Sequence, residues 1–177
     1  VPPDEPMSEE QTGGWDQNDH LQVLTFDMQG ETFAIEAGLV REILDHIPET
    51  PVPGAPNMVG GVVNFRGRVI PLADLHMAFG FAPAKESLDS RVVVIEFALD
   101  GESTLVGLKA DKVNEVTILE KASTESAPRV GMRWRQDFIR CLAKRDGDFI
   151  VVPDLERVFE VGSKGDKAAG LNAFTQH

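Results

Sequence analysis

The motif Gly-x6-Asp-Leu-x3-Phe occurs twice in this chain, at Gly67, Asp74, Leu75 and Phe79 and again at Gly147, Asp154, Leu155 and Phe159. Two further echoes precede it in the same order. Phe26-x3-Gly30-Glu31 recurs as Phe97-x3-Gly101-Glu102, and Val40-x-Glu42-Ile43 recurs as Val113-x-Glu115-Val116. An ordered set of repeats predicts two similar small lobes, each too small to bury an adequate core alone and therefore packed along a shared apolar seam. A seam between lobes is a natural docking groove. The alternative is coincidence, because Gly-containing hairpins and Asp-started helices are common.

The local pattern within each half is β. Leu21–Met28 is apolar with partial alternation, Gln29-Gly30 interrupts it, and Glu31–Ile35 alternates again, which predicts a hairpin. Gly38–Leu44 predicts a helical turn, and Asp45–Pro56, with four prolines, an extended loop. Val59–Phe65 and Arg68–Pro71 flank a turn at Arg66-Gly67, and Asp74–Phe79 predicts a short helix. Further strands are expected at Val92–Leu99, Thr104–Lys109, Val113–Leu119, Phe138–Lys144 and Phe149–Val152. Short strands with turn residues about every 8–12 positions mark an all-β barrel or sandwich.

Charge sets the margins of the folded region. The net charge is −12, and half of it lies in residues 1–20, which hold six acidic residues and no Lys or Arg. Such a segment buries too little apolar surface to offset its ordering entropy, so residues 1–20 are expected to form a disordered acidic tail. The domain is expected over 21–160, and residues 161–177, rich in Gly, Lys and Ala, form a flexible C-terminal tail. The acidic body excludes a phosphate-backbone footprint, so no nucleic-acid partner is expected. One cysteine, Cys141, precludes an internal disulfide and a cysteine-based zinc site. With no apolar run of bilayer length and no basic-plus-apolar leader, the expected setting is cytoplasmic, without membrane insertion.

Residues that carry bond-making chemistry are present but not assembled. His20, His46, His76 and His177 are scattered, outside any H-E-x-x-H pattern, so each reads as a surface or packing residue. Cys141 sits in a strand pattern, where it is most simply a small hydrophobe. Asp74 and Asp154 resemble a pair of acid–base carboxylates. Each follows a proline-containing strand and precedes an apolar helical run, however, which favours helix capping. No catalytic residue, metal site or cofactor is expected.

The run Thr50-Pro51-Val52-Pro53-Gly54-Ala55-Pro56, continued by Gly61-Val62-Val63-Asn64-Phe65-Arg66-Gly67-Arg68-Val69-Ile70-Pro71-Leu72 and Asp74-Leu75, resembles the central signature of the CheW family. Val40-Arg41-Glu42-Ile43 is similar to the family's V-x-E-I element, and Val106-Gly107-Leu108, Asp111, Val113 and Asp154-Leu155-Glu156-x2-Phe159 also agree. The likeness covers about residues 21–160. It implies two SH3-like five-stranded β-barrel lobes, intertwined around a shared hydrophobic core, with short helices.

The resemblance also implies a non-enzymatic adaptor in bacterial chemotaxis. Its partners would be the regulatory domain of the histidine kinase CheA and the cytoplasmic tip of a chemoreceptor, at receptor arrays on the inner face of the membrane. Residue by residue, Val40, Glu42, Asn64 and Arg66 fall in the receptor-binding groove, and Gly61 and Gly67 serve as structural turn residues. Arg66 is expected to hold Glu42, and Gly67 to supply the positive φ of the turn. Two departures concern the second lobe. Arg140 and Cys141 stand where the family tends to carry an uncharged residue and a glycine, and residues 120–135 are polar and irregular. The alternatives are a CheW-like adaptor in a surface-motility or second-messenger array and a small β-barrel hydrolase.

Overall fold

The computed structural model describes residues 14–45, 48–54, 58–99, 101–126 and 136–165. Among the described residues the chain is all-β apart from short helices. Its strands are β1 (His20–Met28), β2 (Glu31–Glu36), β3 (Val40–Leu44), β4 (Thr50–Pro51), β5 (Val59–Phe65) and β6 (Arg68–Ala73). Helix α1 (Leu75–Ala78) follows, then β7 (Arg91–Leu99), β8 (Glu102–Ala110), β9 (Lys112–Glu120), β10 (Thr124–Glu125), β11 (Ile139–Arg145) and β12 (Asp148–Pro153), and finally α2 (Leu155–Gly165).

The strands form two six-stranded sheets, each with five longer strands and one of two residues. The first runs β10-β11-β12-β2-β1-β9 and the second β4-β5-β6-β8-β7-β3. Advancing each strand of the second by six positions in chain order, cyclically, gives the first. The repeat is therefore real, and the halves are exchanged. Each sheet takes a hairpin from one half (β1-β2 or β7-β8) and four strands from the other, joined by a parallel pair, β2 with β12 and β8 with β6.

Residue register supports the repeat. In β5-β6, Val59 pairs Ala73, a bulge follows, and Gly61 pairs Leu72 through to Phe65 with Arg68. In β11-β12 every partner is displaced by 80 positions, bulge included, from Ile139 with Pro153 to Arg145 with Asp148. Both turns put two successive residues at positive φ, Arg66 (53°) and Gly67 (81°) against Asp146 (51°) and Gly147 (86°). That backbone matches the twist of the flanking strands.

The core divides into three parts. Leu21, Val23, Ala143, Ile150 and Val152 fill the first lobe with Trp15, Ala34 and Leu119. Their counterparts Val92, Val94, Val63, Ile70 and Leu72 fill the second with Phe65. Between the lobes lies the seam, where Leu24, Phe26, Met28 and Phe33 meet Val93, Ile95, Leu108, Phe79 and Phe159. Strands β1 and β7 thus bury both faces, which explains why Val92–Ile95 is a continuous apolar run instead of an alternation. A chain of rings knits the seam: Phe26–Phe33 at 6.2 Å, Phe33–Phe79 at 5.2 Å and Phe79–Phe138 at 6.2 Å between centroids.

Three local expectations need correction. Gly38–Leu44 is not a helical turn: a 3-10 turn over Ala37–Leu39 leads into β3, because alternating half-burial of Val40, Glu42 and Leu44 suits an edge strand. Gly61 is not in a turn but in β5, where a Cβ would lie 2.9 Å from the Thr50 carbonyl oxygen, and the absence of that carbon lets β4 pack close. The folded body also begins before residue 21, because Trp15 is buried against Leu21 and Val23, with the Arg140 guanidinium 6.0 Å from its ring centre. His46 and His177 lie outside the described residues, as do 1–13 and 166–177.

Candidate functional site

The turn between β5 and β6 carries Arg66 in the left-handed region, at φ 53°. For a residue other than glycine or asparagine this conformation costs about 1 kcal/mol. The Asn64 side chain offsets part of that cost by accepting the Gly67 backbone N–H at 3.1 Å. Asn64 therefore shapes the turn, and Gly67 supplies its second positive φ.

From this turn the Arg66 guanidinium reaches across to β3, where its Nε and Nη2 both donate to Glu42 Oε1, with the Nε contact at 3.1 Å. Strand β3 closes one edge of its sheet and β5 lies next to the other, so the pair clasps two distant elements of the curled sheet. The Arg66 side chain is 73% exposed and Glu42 34%, so the clasp adds little stability, roughly 0–1 kcal/mol. Its value lies in orientation. The guanidinium also sits 5.3 Å from the Phe65 ring centre. Val40, separated from Glu42 by a bulge in β3 and paired with Ile95, is half-buried against the seam cluster. Val69, paired with Asn64 across the hairpin, is 71% exposed and adds an apolar element beside the clasp.

The other lobe repeats this device with different residues. Arg145 of β11 donates from Nη2 to Glu115 Oε2 of β9 at 2.7 Å, and Glu115 is the counterpart of Glu42. Phe149, the counterpart of Val69, is 46% exposed, and Val116 and Ile118 are exposed on β9. The sequence repeat identifies Glu115, but the arginine moves from the turn to the strand end, so spacing alone does not find it.

Asp74 and Asp154 cap their helices. Asp74 Oδ1 accepts the His76 N–H at 3.0 Å, and Asp154 Oδ1 accepts the Arg157 N–H at 3.1 Å. His76, read from the sequence as a surface or packing residue, is a packing residue whose carboxylate partners the sequence did not reveal. It is fully buried, with Nδ1 2.7 Å from Asp74 Oδ1 and Nε2 2.9 Å from Asp111 Oδ1. Both ring nitrogens are occupied, so the ring offers no lone pair to a metal or a substrate. Only its separation from Asp111, 35 positions away, hid it. Cys141 is half-buried against the first lobe's core, and burial pushes its thiol up despite the neighbouring Arg140 charge, which is the reverse of an activated nucleophile.

Among the described residues no group of three or more His, Cys, Asp or Glu is arranged to hold a metal ion. A shallow groove of about 480 Å³ is lined by Asp45, Pro48 and Glu49 on one side and by Ala84, Glu86 and Arg91 on the other. Its walls pair Arg91 Nε with Asp45 at 3.2 Å and Lys109 Nζ with Glu49 at 3.1 Å. Among the described residues, no helix is long and apolar enough to cross a membrane.

Residues 22–162 match the CheW-like domain family. The chemotaxis protein CheW of Rhizobium meliloti is 28% identical over 142 residues, covering 80% of this chain and 89% of that protein. The chemotaxis protein CheW of Treponema pallidum is 24% identical over 142 residues, covering 80% and 84%. The solved structure of the scaffolding protein TtCheW from Thermoanaerobacter tengcongensis superposes with a TM-score of 0.69 at 29% identity, covering 79% of this chain and 92% of that one. With the two exchanged lobes, the shared seam and the matched span in agreement, the chain belongs to the CheW-like domain family.

Proposed function

We propose that this protein is a chemotaxis adaptor that couples chemoreceptors to the histidine kinase CheA, by holding the two side by side and without bond-making chemistry. The observation that carries the reading is the Arg66–Glu42 clasp, an exposed ion pair on a strained turn that contributes little to stability and sits beside exposed Val69. Backbone strain at an exposed charged residue points to recognition. The family match and the likeness to CheW proteins supply the pathway.

In this reading Val40, Glu42, Asn64 and Arg66 form one receptor-facing groove, with Asn64 acting through the turn it shapes. The regulatory domain of CheA docks at lobe edges, and the cytoplasmic tip of the receptor lies along the groove in helix-in-groove fashion. Bridging raises the local concentration of kinase at the receptor. The protein then works in the cytoplasm, at receptor arrays on the inner face of the membrane. The domain boundaries that serve this role are residues 21–160, extended at the N-terminal side by the Trp15 anchor.

Calorimetry of a receptor-tip fragment with the full chain tests this. Arg66→Glu places two carboxylates together, so affinity should fall at least tenfold while the thermal midpoint moves by no more than a few degrees. Unchanged affinity with a folded variant removes the groove from the account.

A further inference from the structure

We propose that His76 is a proton-operated tie between the two sheets, which holds Asp111 when the ring carries both protons and releases it when one is lost. The geometry sets the connection. His76 lies in α1, at the end of β6 in one sheet. Asp111 lies in the one-residue link from β8, in that sheet, to β9 in the other, and is fastened to that other sheet. Its backbone N–H donates to the Asp27 carbonyl of β1 at 2.9 Å, and its Oδ2 accepts the Gln29 N–H of the β1-β2 turn at 2.7 Å. The His76 Nε2–Asp111 contact therefore joins α1 to the hairpin that its own half lends to the other sheet.

Both carboxylates act only as acceptors. Asp74 takes the backbone N–H of His76 at Oδ1 and that of Ala84 at Oδ2, 2.9 Å away, in addition to the ring. Asp111 takes Gln29. Two ring contacts to two anions need two N–H donors, and only the imidazolium has them. When one proton leaves, the other is retained by the shorter contact to the buried Asp74, and the Nε2 lone pair then faces the Asp111 anion. The charged groups facing the ring are Asp74 from its own turn and Asp111 from the β8-β9 link. The Phe81 ring lies 6.4 Å away between centroids, and Asp27 stands behind Asp111 with its carboxylate engaged by Asn114 and Thr32.

Burial alone pushes the imidazole down. The hydrogen bond and charge of Asp74, then the charge and hydrogen bond of Asp111, outweigh it and hold His76 above 6.5. Because the folded value is raised, the tie's contribution is full below pH 6.5 and is lost as pH rises through the folded value. The repeat lacks this device, since Glu156 and Gly38 occupy the corresponding positions. The proposal is independent of which proteins dock.

Ring NMR of His76 in the full chain, titrated alongside the Gln29 and Asp111 amides, tests it. The expected result is a His76 midpoint above 6.5 that both amides follow. Hydrogen exchange at Gln29, relative to Phe26 in mid-strand, should rise across it by about tenfold for each unit of displacement from the ordinary value. Asp111→Asn, at a partly exposed site, should fold, lower the midpoint and uncouple Gln29. A midpoint at or below 6.5, a Gln29 amide indifferent to the titration, or a midpoint unmoved by Asp111→Asn each overturns the proposal.

Discussion

The unit β5-β6-α1 and its counterpart β11-β12-α2 have one backbone and two chemistries. They share register, bulge and turn, and even the hydrogen bond that seats the cap, Asp74 N–H to Met58 at 2.7 Å and Asp154 N–H to Phe138 at 2.8 Å. They differ in what stands on that frame. The first helix has four residues and the second eleven. Gly61 faces Cys141, Arg66 faces Asp146, and His76 faces Glu156. Strand pairing and capping are backbone demands that any copy must meet, so they persist. Side chains directed outward or toward the partner half are free to specialise, and the first unit carries both the strained arginine and the buried histidine.

The largest losses lie in the seam. Phe79→Ala removes a ring that contacts Phe33 and Phe138 and should cost about 4 kcal/mol by denaturant unfolding. Phe159→Ala, at a slightly more open site against Phe97, should cost about 3 kcal/mol. A larger loss at Phe159 would make α2, not α1, the pin of the shared core.

Next come the two caps. Asp154→Ala should cost about 1 kcal/mol, as a cap does. Asp74→Ala also strips a buried imidazolium of its closer anion and should cost roughly 3 kcal/mol. The pH profile sharpens the contrast. Burial pushes Asp74 up, but its hydrogen bonds to His76 and Ala84 outweigh that and hold it below 3.8. Its contribution is therefore present above pH 3.8 and is lost as pH falls through the depressed value. Asp154→Ala should keep the alkaline loss of stability due to His76, and Asp74→Ala should reduce it.

Smaller effects separate Gly61 from Cys141. Gly61→Val forces a side chain against the Thr50 carbonyl and should cost about 2 kcal/mol, measured by thermal melting. Cys141→Val, in the same register but half-buried against the first lobe's core, should change stability by less than about 1 kcal/mol. Smallest are the clasps: Arg66→Ala and Arg145→Ala should each cost no more than about 1 kcal/mol. Equal losses of receptor affinity for the two would place the second lobe in the groove as well.

Much of this was legible before the fold was known. Gly67 and Gly147 mark turns that need positive φ, and Asp74 and Asp154 mark helix starts, because each residue acts on backbone a few positions away. Glu42 and Arg66 were legible as a pair only through the resemblance. Nothing local links a strand to a turn 24 positions later. Trp15 was hidden by the acidic residues around it, since composition averages over a segment and one ring can anchor it.

The amino-acid sequence alone determined the strands, the turns, the caps and the existence of two copies, because periodicity, φ preference and capping are settled within a few residues. Only the tertiary structure decided that the copies exchange hairpins. β2 has nearly equivalent partners in β6 and β12, and the choice depends on how links and seam close over the whole chain. The same closure brought Asp111 to His76, which no spacing announces.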